Sequence, residues 1–522
     1  MKLIEKLTRT LLFSAALCTC GSCQDEPFSL IPDTPTNAPD YFCTWNVQGY
    51  QTSYTGSQNM RAVVNERSLF GTGDKEGWVE FFPKIRADLY FVMDDSWDIP
   101  QDINTKTNKY LGLVELDTTR FPSFTGTPTE RLAKLNKKVK SYGWKGVGGW
   151  ICAQESEVAE NHDSIDAYWT ERLKAAHESG FDYWKVDWGI QSRNDKWRRN
   201  LTRLGRTHAP NLCIEHAMKN EYVEFSDVFR TYDVENIIAT PVTIQRIASL
   251  LPYDTEGEAK GIINCEDEPF LAVGLGCAIG VMRHPYNGKL PNGKQDHAFP
   301  PVGRNYKNRL DEVVRGVRWH RIAEPFGVAN DACIDTILLD DYWEVQADET
   351  WVKRNIGDVV HESAPARISR NMPLPEITAN RTAEVPYVMA SRYPNGATAI
   401  VTTERTLGRK CVLNPVIVTA EMEDLYKPVG IFGKYEQLIL NFTEKIDPTA
   451  IKVFGQDLAG DRAIEITERL IIEGNRIIVP GNLVETVGLM DATIGDESLP
   501  GMVLQVFKNC LLYTSPSPRD CS

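Results

Sequence analysis

Residues 181–189 of the chain are Phe-Asp-Tyr-Trp-Lys-Val-Asp-Trp-Gly. The mixed aromatic and apolar run is typical of a buried strand, and it ends on Asp187, two residues before Gly189. A carboxylate at the tip of a buried strand is costly to desolvate unless it is paired or used. In a barrel of parallel strands, this tip lies on the face that carries the chemistry. We therefore expect Asp187 to be catalytic, with a helix-capping Asp as the alternative.

Seven further stretches between residues 41 and 282 have strand-like patterns. The eight strand candidates are Tyr41–Asn46, Ala87–Asp94, Gly146–Cys152, Tyr183–Asp187, Leu212–Glu215, Val228–Thr231, Gly261–Asn264 and Ala278–Met282. Amphipathic helical patterns lie between several of them, for example over 129–142 and 163–179. Eight strands with intervening helices predict an α/β fold, a (β/α)8 TIM barrel over residues 40–350.

After about residue 350 the pattern changes to short alternating runs punctuated by Gly, Pro and Asn. This predicts an all-β sandwich domain over residues 351–509. The chain has 522 residues, which suits two or three domains. The stretch 287–308 is rich in Gly, Pro and Asn, and we expect it to be a long loop that covers or lines the site.

Both ends of the chain are expected to lie outside the folded domains. A basic segment, a short apolar run and small residues before Cys23 resemble a bacterial lipoprotein signal. This predicts a signal peptide over residues 1–23, lipidation at Cys23, a tether over residues 24–39 and an outer-membrane or cell-surface location. An ordinary secretory peptide and a periplasmic location are the alternative. Residues 510–522 resemble a translated sequencing adapter, so we expect a non-native tail there and a truncated β domain.

Charge and cysteine content exclude some classes of partner. The net charge is −14, and no basic run follows the first ten residues, which argues against a nucleic-acid partner. With both ends removed, seven cysteines remain, and none has a CxxC or Cys/His metal-binding spacing. His216 and His284 are single histidines without such a spacing. We expect mostly free, buried thiols, with one disulfide open for an exported protein, and neither a metal nor a cofactor.

Polar and aromatic side chains follow nearly every predicted strand. Because the carboxyl ends of barrel strands converge on one mouth, and because sugars need polar contacts and an aromatic platform, we expect a carbohydrate site there. The predicted contacts at the strand tips are Trp45, Asp94, Asp95, Trp97, Trp150, Glu215, Arg230 and Asp267.

Two carboxyl groups at this mouth suit glycoside hydrolysis with retention, which needs them roughly 5–5.5 Å apart. Asp187 and Asp233 follow the fourth and sixth predicted strands. The positive charge of Lys185 would help to keep Asp187 ionised. Asp233 lies beside Tyr232, where a general acid would find a drier environment.

The ordered set of motifs resembles glycoside hydrolase family 27 and the related family 36, the α-galactosidases of clan D, over about residues 40–330. The motifs are Tyr41–Asn46, Asp94-Asp95-Ser96-Trp97, Arg120-Phe121-Pro122, Trp184–Asp187 and Arg230–Asp233. The resemblance implies a barrel followed by a β-sandwich, and a double-displacement enzyme that releases terminal α-linked sugars from oligo- or polysaccharides.

The resemblance also implies roles for single residues. Asp187 falls on the nucleophile and Asp233 on the acid/base, although the family has one more residue before the acid/base, which leaves Glu235 as a rival. The implied sugar contacts are Asp94 and Asp95 for the 4- and 6-hydroxyl groups, Trp45 and Trp97 beside the ring, and Lys185 and Arg230 near the nucleophile. The loop after the fifth strand, which sets specificity at the sugar's 2-position, departs from a typical α-galactosidase.

Other interpretations stay open. Asp94 and Asp95 also suit a helix cap, Trp150 and Trp184 suit the core, and 266–268 suits a solvated charge run. The functional alternatives are a β-L-arabinopyranosidase or an α-N-acetylgalactosaminidase on the same scaffold, or a non-catalytic carbohydrate-binding surface lipoprotein. In each case the partner is a carbohydrate, and the membrane is reached only through a lipid anchor.

Overall fold

The computed structural model describes residues 28–52, 60–73, 76–101, 103, 108–159, 162–231, 238–285, 308–346, 354–379 and 384–509. Eight parallel strands close into a barrel in sequence order, which confirms the predicted fold class. The strands are β1 Tyr41–Cys43, β2 Tyr90–Met93, β3 Gly146–Ile151, β4 Phe181–Val186, β5 Cys213–His216, β6 Val228–Arg230, β7 Ile262–Glu266 and β8 Ala278–Val281. β1 ends earlier than predicted, because a helix begins at Trp45.

Side chains alternate between the interior and the exterior of the barrel along each strand. In β4, Trp184 and Val186 belong to the apolar layer under the helices. Tyr183 packs inside the barrel, and Lys185 pairs there with carboxylates of other strands. The alternation therefore brings polar side chains from neighbouring strands together on the barrel axis.

Helices cover the outside of the barrel. They are α1 Trp45–Thr52, α2 Glu66–Phe70, α3 Pro128–Lys140, α4 Ile165–Ser179, α5 Asp195–His208, α6 Ala239–Leu250, α7 Pro269–Gly274 and α8 Leu310–Trp319, and α9 Gly481–Gly488 lies in the second domain. α3 begins at a capping box between Thr127 and Glu130. α4 ends at Gly180, whose φ of 66° is left-handed and suits glycine. Both predicted helices are thus present. Within the described ranges, no helix is long and apolar enough to cross a membrane.

The described part of the second domain consists of three mixed sheets, each with parallel and antiparallel pairs. Its strands are β9 Ala332–Ile334, β10 Leu338–Glu344, β11 Val359–Pro365, β12 Arg367–Arg370, β13 Glu376–Thr378, β14 Tyr387–Arg392, β15 Thr398–Thr403, β16 Arg405–Gly408, β17 Lys410–Val412, β18 Ile417–Met422, β19 Val429–Phe432, β20 Gln437–Phe442, β21 Ile451–Asp457, β22 Ile464–Glu465, β23 Ile471–Glu473, β24 Arg476–Pro480 and β25 Gly501–Lys508. An eight-stranded sheet and a five-stranded sheet share one apolar core, as in a sandwich, and a four-stranded sheet adjoins them. β9 pairs with β12, so the second domain begins before residue 351, the boundary predicted from the sequence.

Buried ion pairs join the two domains. Arg315 of α8 forms a bidentate pair with Asp457 of β21, with N–O distances of 2.9 and 3.0 Å, and neither residue is exposed. Arg309 pairs in the same way with Glu404, at 2.7 and 2.9 Å. The β domain is therefore attached to the barrel by specific polar contacts as well as by apolar packing.

The segment expected to be a tether is packed on the protein from Phe28 onward. The backbone N–H of Leu30 donates to the side chain of Gln456 at 2.6 Å, and that of Thr36 donates to Asp88 at 2.9 Å. This corrects the tether prediction for residues 28–39. The composition of the segment is polar and Pro-rich, but the folded domains satisfy its backbone hydrogen bonds.

The seven cysteines within the described ranges are all free thiols. Four of them are buried, Cys43, Cys152, Cys265 and Cys277, and a thiol packs there as a small apolar group. This agrees with the expectation from the sequence.

Candidate active site

Charged side chains from several strands meet at the carboxyl-terminal mouth of the barrel. The guanidinium of Arg230, which ends β6, lies 3.0 Å from the carboxylates of both Asp187 and Glu215. The ammonium of Lys185 lies 2.9 Å from Asp94, which follows β2. The structure thus brings together five residues that the sequence placed at the site.

Glu266 links the two cations of this cluster. Its Oε1 lies 3.6 Å from Nζ of Lys185 and 3.7 Å from Nε of Arg230. The sequence analysis selected Asp267 from the same acidic run and missed Glu266. The alternation of side chains along β7 could have identified Glu266. Cys265 packs in the outer apolar layer, so its neighbour Glu266 must face the barrel interior.

The structure gives Asp267 a different role from the predicted sugar contact. Its Oδ1 accepts the backbone N–H groups of Met282 and Arg283, both at 3.1 Å, and the residue is 2 % exposed. Burial raises its pKa to about 7, although the guanidinium of Arg283 opposes this effect. Asp267 therefore joins the ends of β7 and β8 through Oδ1, and its predicted sugar contact stays a prediction.

Asp187 lies immediately after β4, with its carboxylate held from two sides. Nε1 of Trp150 donates to Oδ2 at 2.8 Å, and Arg230 lies 3.0 Å from Oδ1. The backbone N–H of Asp187 donates to the carbonyl of Ile151 in β3 at 3.0 Å. About 10 % of the side chain is exposed. The carboxylate is therefore oriented, and a small part of the Asp187 side chain is exposed.

Asp94 and Lys185 form an ionised pair despite their burial. Burial alone would raise the pKa of Asp94, but the ammonium of Lys185 and a hydrogen bond from the thiol of Cys43 outweigh it, and the pKa falls below its usual value. Burial would lower the pKa of Lys185, yet Asp94 and nearby groups hold it well above its usual value. The mouth thus carries a carboxylate acceptor beside an ammonium donor.

Glu215 is occupied by protein contacts. Its Oε2 accepts the hydroxyl of Tyr183 at 2.7 Å, and its Oε1 accepts from Arg230 at 3.0 Å. Burial raises its pKa to about 7, in spite of the nearby cations. The residue is fully buried, so these contacts make it a group that orients Arg230.

Asp95 and Trp97 both make contacts within the protein that the sequence analysis did not predict. Asp95 pairs with Arg61 at 2.5 Å. Trp97 is fully buried in the outer apolar core, where its ring packs 5.2 Å from that of Phe181 and its Nε1 donates to the carbonyl of Trp150. The predicted place of Trp97 beside the sugar ring is therefore wrong, because its ring faces the core behind the strands.

Four further tryptophans divide between the core and the mouth. Trp184 is fully buried in the outer layer, and the ring of Trp150 is also buried, so Trp150 offers its N–H group instead of an aromatic platform. Trp45 is half-buried and packs on the cluster that contains Cys43. Trp188 is half-buried beside Trp150, with ring centroids 5.3 Å apart. Trp188 follows Asp187 directly, and the sequence analysis did not select it.

Several predicted features lie outside the described residues. These are Asp233 and its rival Glu235, the lipidation site Cys23, and residues 286–307, which cover most of the expected long loop. Their predicted roles remain predictions.

A cavity of about 530 Å³ lies between the segments that follow β4, β5 and β6, at Arg193, Met218 and Thr231, and one face of α6. The charged residues described above are not among those that line it. Among the residues that the structure describes, no group of three or more His, Cys, Asp and Glu side chains is arranged to hold a metal ion.

The sequence analysis also missed residues behind the nucleophile candidate. Arg198 and Thr202 of α5 and His216 of β5 are buried there and hydrogen-bonded to one another. An Arg in an amphipathic helix gives no sequence signal that separates it from a solvent-facing one.

No family model matches this chain, and no curated protein does so either. Among solved structures, it is similar to a candidate α-galactosidase from Bacteroides fragilis, with 12 % identity, 91 % of this chain and 79 % of that chain covered, and a TM-score of 0.40. It is similar to a GH27 β-L-arabinopyranosidase from Geobacillus stearothermophilus, with 11 % identity, 92 % and 98 % covered, and a TM-score of 0.41. An α-amylase from Geobacillus thermoleovorans matches with 8 % identity, 90 % and 98 % covered, and a TM-score of 0.40. These proteins have three different activities, and the likeness is too distant to assign any of them to this chain.

Proposed function

We propose that this chain is a retaining glycoside hydrolase with Asp187 as its nucleophile. The observation that carries the proposal is the carboxylate of Asp187 at the barrel mouth, which Arg230 and Trp150 hold while part of the side chain stays exposed. A nucleophilic carboxylate must be ionised, fixed in direction and open to the substrate. The contacts with Arg230 and Trp150 support the second requirement, and the partial exposure of the side chain supports the third.

The proposed reaction has two steps. In the first, an oxygen of Asp187 attacks the anomeric carbon and forms a glycosyl ester, while a second carboxyl group gives its proton to the departing oxygen. In the second, that group takes a proton from water, and the water releases the sugar from Asp187. We assign the second group to Asp233, with Glu235 as its rival, because both follow Arg230 closely in sequence.

The proposed substrate is a terminal sugar with adjacent free hydroxyl groups. The ionised pair of Asp94 and Lys185 offers an acceptor and a donor side by side, which suits two neighbouring hydroxyls. Trp45 and Trp188 offer partly exposed rings for the apolar face of a sugar. We propose α-galactosidase-like activity in particular, and β-L-arabinopyranosidase and α-N-acetylgalactosaminidase activities are the alternatives that a substrate panel separates.

The test is a panel of aryl α- and β-glycosides with the purified protein and its Asp187→Asn variant. We expect release from one sugar, and a loss of at least about 10³-fold in the variant. With Asp187→Gly, azide should restore turnover and give a glycosyl azide of inverted configuration. Asp182→Asn is the matched control, because Asp182 lies on the same strand outside the charged cluster. Sugar binding without turnover of any glycoside would instead favour the carbohydrate-binding lipoprotein.

We also propose that the chain is exported and lipidated at Cys23, as its N-terminal sequence suggests. Expression in a bacterial host with a labelled fatty acid tests this. Label should enter the wild-type protein and not the Cys23→Ser variant, and label in both or in neither would contradict the proposal.

A further inference from the structure

A group of three buried side chains lies behind the strand tip that carries Asp187. Arg198 and Thr202 are one helical turn apart on α5, and His216 is the last residue of β5. Arg198 and His216 are fully buried, and Thr202 is 6 % exposed. His216 faces away from the barrel interior, so none of the three residues is among the proposed substrate contacts.

Arg198 binds the backbone that leads into and out of Asp187. Its Nη2 donates to the carbonyl of Asp187 at 2.6 Å, its Nη1 to that of Val186 at 3.0 Å, and its Nε to that of Ser192 at 3.1 Å. On the other side, the backbone N–H of Asp187 donates to the carbonyl of Ile151 in β3. The backbone of the nucleophile candidate is therefore held from both sides, just beyond the end of the strand.

His216 fixes the guanidinium that makes these contacts. Its Nδ1 lies 3.1 Å from Nη1 of Arg198, and its Nε2 lies 2.8 Å from Oγ1 of Thr202. A guanidinium can only donate, so Nδ1 must accept and the ring proton must be on Nε2. The hydroxyl of Thr202 then accepts from Nε2 and donates to the carbonyl of Arg198, at 3.3 Å. Every hydrogen bond that links Arg198, His216 and Thr202 therefore has one allowed direction.

The surroundings keep the imidazole neutral. Burial is the main cause that lowers the pKa of His216 well below its usual value, and the guanidinium groups of Arg198 and Arg206 add to this effect. A protonated ring would lose its acceptor and repel Arg198. The chain of hydrogen bonds should therefore stay intact across the working pH range of the protein.

We propose that Arg198, His216 and Thr202 form a positioning unit that sets the direction of the Asp187 carboxylate. The inference rests on the proposed role of Asp187 as nucleophile. Fixing the carbonyl of a residue fixes the direction of its Cα–Cβ bond, and an error of about 1 Å at a reacting atom costs on the order of 10²-fold in rate. The unit acts through the backbone, so it should affect kcat and leave sugar binding nearly unchanged.

A purely structural role would join α5 to the sheet and change only the amount of folded protein. The experiment therefore counts active sites with an epoxide mimic of the sugar, which esterifies the nucleophile, and reports kcat per labelled site. The variants are His216→Leu, which removes both nitrogens, and His216→Asn, whose side-chain oxygen retains an acceptor for Arg198. Thr202→Val tests the hydrogen bond between the hydroxyl of Thr202 and Nε2 of His216. Thr207→Val is its control, because Thr207 on the same helix makes the same bond to a carbonyl four residues earlier but is exposed.

We expect His216→Leu to lower kcat per site about 10- to 100-fold with KM within about twofold. His216→Asn should recover a large part of this loss, and Thr207→Val should match the wild type. In the ¹⁵N spectrum of the wild type, the His216 signals should show a neutral ring with its proton on Nε2. If His216→Leu gave fewer labelled active sites with an unchanged kcat per site, the positioning role alone would be overturned. A wild-type His216 ring with its proton on Nδ1 would have the same consequence. A wild type that turns over no glycoside overturns the proposed function and this role with it, and the tautomer then shows whether the hydrogen-bond chain exists.

Discussion

Replacement of Trp150 by Phe tests the contact between its indole and Asp187. The variant keeps a buried ring in β3 and removes the N–H group that lies 2.8 Å from Oδ2 of Asp187. A hydrogen bond to a charged group contributes about 1.5–3 kcal/mol. In the glycosyl ester the Asp187 oxygen is neutral, so the bond is weak there and strengthens as the carboxylate leaves in the second step.

The expected effect follows from the charge that returns to Asp187 in the second transition state. If about half of the charge has returned, Trp150→Phe costs about 0.8–1.5 kcal/mol there, which slows this step about 4- to 13-fold. The first step begins from a carboxylate that has lost a stabilising bond, so it should not be slower. With a good leaving group, kcat and KM should therefore fall together while kcat/KM is kept or rises. A pre-steady-state burst of the aryl leaving group should appear or grow.

The control for this variant is Trp184→Phe. It removes the same atoms from a fully buried indole one strand away, and Nε1 of Trp184 has no hydrogen-bond partner among the described residues. We expect Trp184→Phe to keep wild-type kinetics per folded molecule. A Trp150→Phe variant with unchanged KM, reduced kcat/KM and no burst would refute the argument, because the indole would then not act on the leaving carboxylate.

Three further predictions concern other buried charges. Arg315→Leu removes the cation that pairs with the buried carboxylate of Asp457, and it should lower the free energy of unfolding measured in urea by about 3–5 kcal/mol. Leucine at both positions should recover much of this loss. A loss under about 1 kcal/mol in Arg315→Leu would contradict the prediction. Lys185→Met removes the cation beside Asp94 and should lower kcat/KM roughly 10- to 150-fold through a charged hydrogen bond, and an unchanged value would rule out the proposed hydroxyl contact. Burial raises the pKa of Asp98 to about 7, so the stability that its protonated form contributes is complete below about pH 3.9 and is lost as the pH rises to 7. The melting temperature of Asp98→Asn should therefore change less over that range than that of the wild type. Melting temperatures of the two proteins that change in parallel with pH would contradict this.

The barrel was predictable because its information is local. Each buried strand is short, apolar and followed by a polar tip, and the parallel topology then brings the tips together. Asp94 and Arg230 were found in this way, and Lys185 and Glu266 connect them in the structure. Strand order follows from sequence order in a closed barrel, so no long-range information was needed.

The errors arose where the direction of a side chain decides its role. Asp267 was selected over Glu266, although the two point to opposite sides at the end of β7. Trp97 comes soon after the end of β2, and its ring returns to the core behind the strands. A sequence motif gives the residue types and their spacing. It does not give the direction in which each side chain points from the backbone.

Contacts from distant segments were beyond the reach of the sequence. Asp95 is engaged by Arg61 from the loop between β1 and β2, and the carbonyl of Asp187 is engaged by Arg198 from a helix. An arginine in either place has no local pattern that identifies its partner. The structure was needed to show which carboxylates are already bound and which stay open.

The packed N-terminal segment fixes how an anchored molecule would stand on a bilayer. Thr36 binds Asp88 and Lys145, which precede β2 and β3, so the segment runs across the amino end of the barrel, opposite the mouth. From there it reaches the β domain at Phe28. Four residues separate Phe28 from Cys23, and the five Cα–Cα steps between them span at most about 17 Å. If Cys23 is lipidated as proposed, the lipid would therefore lie within this distance of the part of the β domain on which Phe28 packs. An anchored molecule would then have a short reach from the bilayer.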